Sequence, residues 1–194
     1  MLFRRKYEFK PDKPASSALS KLYLTPLQRK RLLKWALMGL MLVLLSLLQD
    51  VVFSRMRIGG AAFDLVPCAI LLGCILMEPE TAGVFALISS SLYHFSGTAP
   101  GVYIIALITA LGILLCIFRR SYLKKGFFST FLCAGFGIVV YKLVVFGIHL
   151  FLGATLGTRF GIFCMGVGLT LACIFPLYPI FVSICNIGGE SWKE

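Results

Sequence analysis

Between residues 35 and 185 the chain carries six apolar runs joined by short loops, and no other feature limits its fold as much. A helix that crosses a hydrocarbon core of about 30 Å needs about 20 mostly apolar residues. The runs cover 35–53, 60–77, 81–95, 100–118, 127–152 and 161–185. Hydrophobic residues make up 59% of the chain and charged residues 14%, with a mean hydropathy of +0.92, which does not suit an apolar core wrapped in a polar surface. The expected fold class is an all-α integral membrane protein with six transmembrane helices. The third run, TAGVFALISSSLYHF, is short and serine-rich, so neighbouring helices must cover its hydroxyls. Pro176 and Pro179 are expected to kink the second half of the sixth.

The formal charge of +11 would suggest nucleic acid if it covered a surface, but ten of the 19 cations lie in the first 34 residues, so nucleic acid is not expected as a partner. Residues 1–34 therefore read as a basic cytoplasmic tail lying against anionic lipid headgroups, where each nearby cation contributes about 1 kcal/mol. Pro11, Pro14 and Pro26 should interrupt any long helix there. So long a polar stretch before the first run suits a retained helix rather than a cleaved leader. With that tail inside, 15 cations fall on inner segments and three, Arg55, Arg57 and Arg159, on outer ones, with Lys142 inside a span. The bias puts both termini in the cytoplasm, including a short C-terminal tail over 186–194. The inner-leaflet basic set is Arg29, Lys30, Arg31, Lys34, Arg119, Arg120, Lys124 and Lys125.

The seven cysteines sit inside apolar runs without a C-x-x-C pair and read as small buried hydrophobes. His94 and His149 are too far apart in sequence for zinc-ligand spacing. There is no phosphate loop, H-E-x-x-H or nucleophile elbow, so no enzyme, metal or cofactor is expected.

Charged groups near a bilayer centre usually pair or mark function. Asp50 and Lys142 each lie fifteen residues beyond the start of their spans, at about 22 Å of rise, and are expected to form a buried ion pair. Gln49, Asp64, His94 and His149 belong to the same outer half and form a polar cluster, read either as mutually satisfied groups or as a shallow outward cavity or docking patch. The glycines in 135–137, 153–157 and 166–168 predict close helix contacts. The stretch 97–101, GTAPG, predicts a tight hairpin between the third and fourth spans.

In order and spacing these features resemble the rod-shape-determining protein MreD family of bacterial inner-membrane proteins. The resemblance runs from about Leu42 to the end of the sixth span. It rests on Leu48-Gln49 near the end of span one, Arg57-Ile58-Gly59 after it, Phe63-Asp64-Leu65 opening span two, Gly83 in the third, the GTAPG turn, and Arg119-Arg120 after the fourth. Phe63 stands where the family usually has proline. Ser89-Ser90-Ser91-Leu92-Tyr93 replaces a run that usually ends in aspartate. The resemblance implies a multi-pass scaffold of the cell-elongation machinery in the bacterial inner membrane. Its implied partner is the bitopic protein MreC and, through the complex, RodA, a class B penicillin-binding protein and MreB. The layout is also similar to the substrate-binding subunit of an energy-coupling-factor vitamin transporter, although Leu40 stands where that subunit's Ala-x-x-x-Ala motif would place its second alanine after Ala36.

Overall fold

The computed structural model describes residues 26–53, 55–56, 59–61, 63–97, 99–123, 126–153 and 159–187. Outside them lie the tail over 1–25, Arg57-Ile58 of the family pattern, Thr98 of the hairpin turn, Lys124 and Lys125, the glycine stretch over 154–158, and residues 188–194. The described chain is built from seven helices: α1 (Pro26–Leu48), α2 (Leu65–Leu76), α3 (Pro79–Phe95), α4 (Tyr103–Tyr122), α5 (Phe127–Phe151), α6 (Phe160–Ala172) and α7 (Ile174–Ile187). Four helical stretches, Gln28–Phe53, Tyr103–Tyr122, Phe127–Phe151 and Phe160–Ile187, are long and apolar enough to cross a membrane. Their outer faces carry bare apolar side chains such as Leu44, Leu114, Phe128 and Leu143, as a lipid-facing surface requires. The chain is thus an all-α, multi-pass membrane protein by its helices.

Several boundaries differ from the sequence expectation: α3 starts at Pro79 rather than 81, α4 runs Tyr103–Tyr122 rather than 100–118, and two further differences have a local reason. The first helix begins at Pro26, nine residues into the expected tail, because proline at the first helical position loses no hydrogen bond and already has a helical φ. Its far end passes through a π-helical turn over Gln49–Phe53. The sixth run is broken into α6 and α7 at Cys173. Pro176 has no N–H for the carbonyl four residues earlier, and its ring crowds that carbonyl, so the chain steps aside there and restarts as α7.

The largest departure is α2. The run over 60–77 is long enough to span, but its helix has only 12 residues, a rise of about 18 Å. Every residue from Leu65 to Leu76 is buried, and α2 touches α1, α3, α4, α5, α6 and α7. It is apolar all round because it is surrounded by protein. Its terminal residues are buried, so the free N–H and C=O groups of the terminal turns are largely shielded from water. Other helices must supply those partners.

Close packing around α2 depends on small residues. A Cβ built on Gly112 of α4 would stand 3.0 Å from the Cys74 Sγ, 3.3 Å from the Cys74 Cβ and 3.4 Å from the Ala86 Cβ, atoms with little freedom to retreat. Gly112→Ala is expected to cost about 1–3 kcal/mol by overpacking. The check is the thermal midpoint of the detergent-solubilised protein, with Gly39→Ala, whose Cβ meets nothing within 4 Å, as the control. Of the serines of α3, Ser90 is covered by α4: its hydroxyl lies 3.3 Å from the Thr109 hydroxyl and 3.5 Å from the Ile105 carbonyl.

Candidate functional site

Several buried polar groups of the described bundle stand at the two ends of α2. At its N-terminal end, Gln49 from the π-helical turn of α1 is buried, and its Oε1 accepts the Val66 N–H at 2.8 Å. This is an N-cap supplied by another helix. Asp64 holds the N-cap position, yet its carboxylate makes no hydrogen bond back to the helix. It pairs instead with the Lys142 ammonium of α5. The carboxylate still lies at the positive end of the α2 dipole. Gln49→Ala leaves the Val66 N–H without its partner in a dry setting and is expected to lower stability by about 1–2 kcal/mol, while Gln49→Glu, which keeps an acceptor, should lose less. Thermal midpoints of the two variants test this.

The expected Asp50–Lys142 pair is therefore corrected: the carboxylate on Lys142 is that of Asp64. Equal depth was a sound reading along the helix axes but gave no information about which helices adjoin. Helix α1 packs on α2, α3 and α7, and α5 packs on α2, α4, α6 and α7, so the two helices that carry Asp50 and Lys142 are both neighbours of α2. Asp50 faces a separate recess of about 270 Å³ together with Ser46, Ser89, Tyr93 and Ser96.

The outer polar cluster also divides. Lys142, Asp64 and His149 line one recess of about 290 Å³, joined by Arg159 at the head of α6. His149 is seven residues beyond Lys142, two helical turns, which brings both to one face of α5. His94 lines neither recess; its ring lies 5.9 Å from that of Phe95, and its Nδ1 is buried without a hydrogen-bond partner among the described residues. Tyr141 of α5 and Tyr93 of α3 are both buried. Arg159 was legible only as an outer-loop cation, since its neighbours in space come from α5 and the 60–64 segment.

At the C-terminal end of α2 the cap comes from α4. Arg119 is buried, and its Nη1 donates to the Ile75 carbonyl at 3.1 Å, while the Cys116 Sγ donates to the Met77 carbonyl at 3.2 Å. Arg120, next in sequence, points away and pairs with Glu78 at 3.2 Å on an exposed surface. Of the expected inner-leaflet cations, Arg29, Lys30, Arg31 and Arg120 are exposed, but Lys34 and Arg119 are buried at 7% and 6% exposure. Five cysteines are buried, Cys173 is half-buried and Cys164 is exposed on α6, contrary to the expectation of seven buried residues. Among the described residues no three metal-ligating side chains converge.

Searches against family models, curated proteins and solved structures returned no match for this chain.

Proposed function

We propose that the chain is a non-catalytic membrane scaffold of the bacterial cell-elongation machinery, and that it binds an MreC-like single-span partner. The observation that carries this reading is the junction at the head of α2. Two of the segments that carry the resemblance, Leu48-Gln49 and Phe63-Asp64-Leu65, come together there: Gln49 accepts the N–H of Val66, the residue after Leu65 and 17 residues along the chain. Residues whose job is to lock a helix end give a rigid shape, and a rigid shape suits a protein that works by contact.

In this reading the chain crosses the bacterial cell membrane six times, with α6 and α7 forming one broken span and both termini in the cytoplasm. Support comes from the two ends of α2. The end of α1 meets one and the end of α4 meets the other, so the start of α1 shares a side with the end of α4. Arg29, Lys30 and Arg31 then fall on the same side as Arg119 and Arg120, as the cation bias requires.

Depleting the protein from its rod-shaped host should round the cells, and capture of the tagged full chain should recover a single-span partner. Cells that stay rod-shaped, with a vitamin-sized molecule retained by the purified protein in mass spectrometry, would favour the transporter subunit instead.

A further inference from the structure

The recess between α5, α6 and the head of α2 has a charged mouth and an apolar wall. Asp64 is already held by Lys142, so the carboxylate is not available for a cation. Arg159 and His149 also line the recess, and among the described residues neither has an ion-pair or hydrogen-bond partner. The Lys142 ammonium has three N–H donors, only one of which is needed by Asp64. The mouth therefore presents donors and positive charge in excess, which selects an anion.

The depth of each group fits a headgroup. Arg159 caps the start of α6 and His149 is two residues before the end of α5, so both stand at the end of the bundle. Lys142 lies about 10 Å deeper along α5. Beside them, the Phe146 and Phe163 rings meet in a tilted pair at 4.9 Å, and Phe160 stacks on Phe163 at 5.6 Å. This aromatic wall runs onto α6, which buries only Gly166 and Thr170 and leaves Phe160 and Ile162 exposed on its outer side. The recess thus opens sideways onto the surface that faces hydrocarbon. A free phosphate would use the mouth and leave the wall bare; an amphiphile uses both.

We propose that this recess binds the phosphate headgroup of an anionic membrane lipid, held by Arg159 and His149, with an acyl chain along the Phe146 and Phe163 wall. The site lies at the opposite end of the bundle from the basic start of α1 and does not depend on the scaffold reading.

The test uses the full chain in nanodiscs with phosphatidylglycerol and phosphatidylcholine carrying the same photoactivatable acyl chain. Phosphatidylglycerol should label the segments over 145–146 and 160–163 at least fivefold more than phosphatidylcholine does. R159Q/H149Q should bring that ratio close to one, while R29Q/K30Q at the far end leaves it unchanged. Both pairs are at the surface or half-exposed, and an unchanged thermal midpoint in each variant verifies that the fold is kept. Equal labelling by the two lipids in the wild type would overturn the proposal, as would a preference that survives R159Q/H149Q. Loss of the preference in millimolar inorganic phosphate would assign the mouth to a soluble anion and overturn it as well.

Discussion

Lys142→Met is expected to cut the yield of folded protein sharply, because it leaves the Asp64 carboxylate without its cation in a largely shielded position at the head of α2. The two side chains are 14% and 26% exposed, so the pair is mostly shielded. Removing one partner of a buried pair costs about 3–5 kcal/mol, and the partial exposure places this one toward the lower end. Asp64→Asn should be damaging for the same reason, with the charge left on Lys142 instead. The pairing is isolated by a double-mutant cycle: D64N/K142M should lose clearly less than the sum of the two single changes, while D50N and K142M should add. Yield and thermal midpoint by size-exclusion of a fluorescent fusion report all five proteins. Coupling of Lys142 to Asp50 rather than Asp64 would overturn the assignment. The swap D64K/K142D should rescue only in part, because a lysine at the head of α2 would meet the positive end of its dipole.

Asp50 and Lys142 also show where sequence reading stops. Counting residues along an apolar run gives depth, and it bounded α5 within a residue: 127–152 expected, Phe127–Phe151 found. Depth says nothing about which helices are neighbours, and in an all-apolar run there is little periodicity to reveal a face. Every position of α2 is buried, so its sequence carries no stripe that would have shown it to be central and short. Gln49 and Asp64 were legible as polar residues in the outer half. Their separate tasks, one capping α2 and one holding Lys142, depend on how the π-helical turn aims Gln49, which composition does not encode. Arg159 entered the recess through a tertiary contact between the start of α6 and the α5 face, which a loop cation does not announce.

Arg119 is different, since its role was within reach of the pattern. The buried residues of α4 are Ile104, Ile108, Gly112, the adjacent Leu115 and Cys116, and Arg119, which recur every three or four residues along one face, so Arg119 continues the inward stripe while Arg120 falls off it. Two adjacent arginines of one charge therefore do different work. Arg119 holds a carbonyl of the last turn of α2 and sets a cation at the negative end of its dipole, in a place where no water can substitute. Arg119→Met removes that bond and is expected to cost about 1.5–3 kcal/mol, the range for a hydrogen bond from a charged donor. Arg120→Met breaks only an exposed pair with Glu78 and should change stability by less than about 1 kcal/mol. Arg119→Lys should fall between, since an ammonium keeps the charge but not the planar fork that lets Nη1 reach the Ile75 carbonyl while the rest of the group lies along α4. If the two arginines were simply a basic inner face, the two methionine variants would behave alike in a thermal-midpoint assay and would share one dependence on anionic lipid. The helix-end reading requires instead that Arg119→Met be destabilised in neutral detergent, with no lipid present, by the same amount as in anionic nanodiscs.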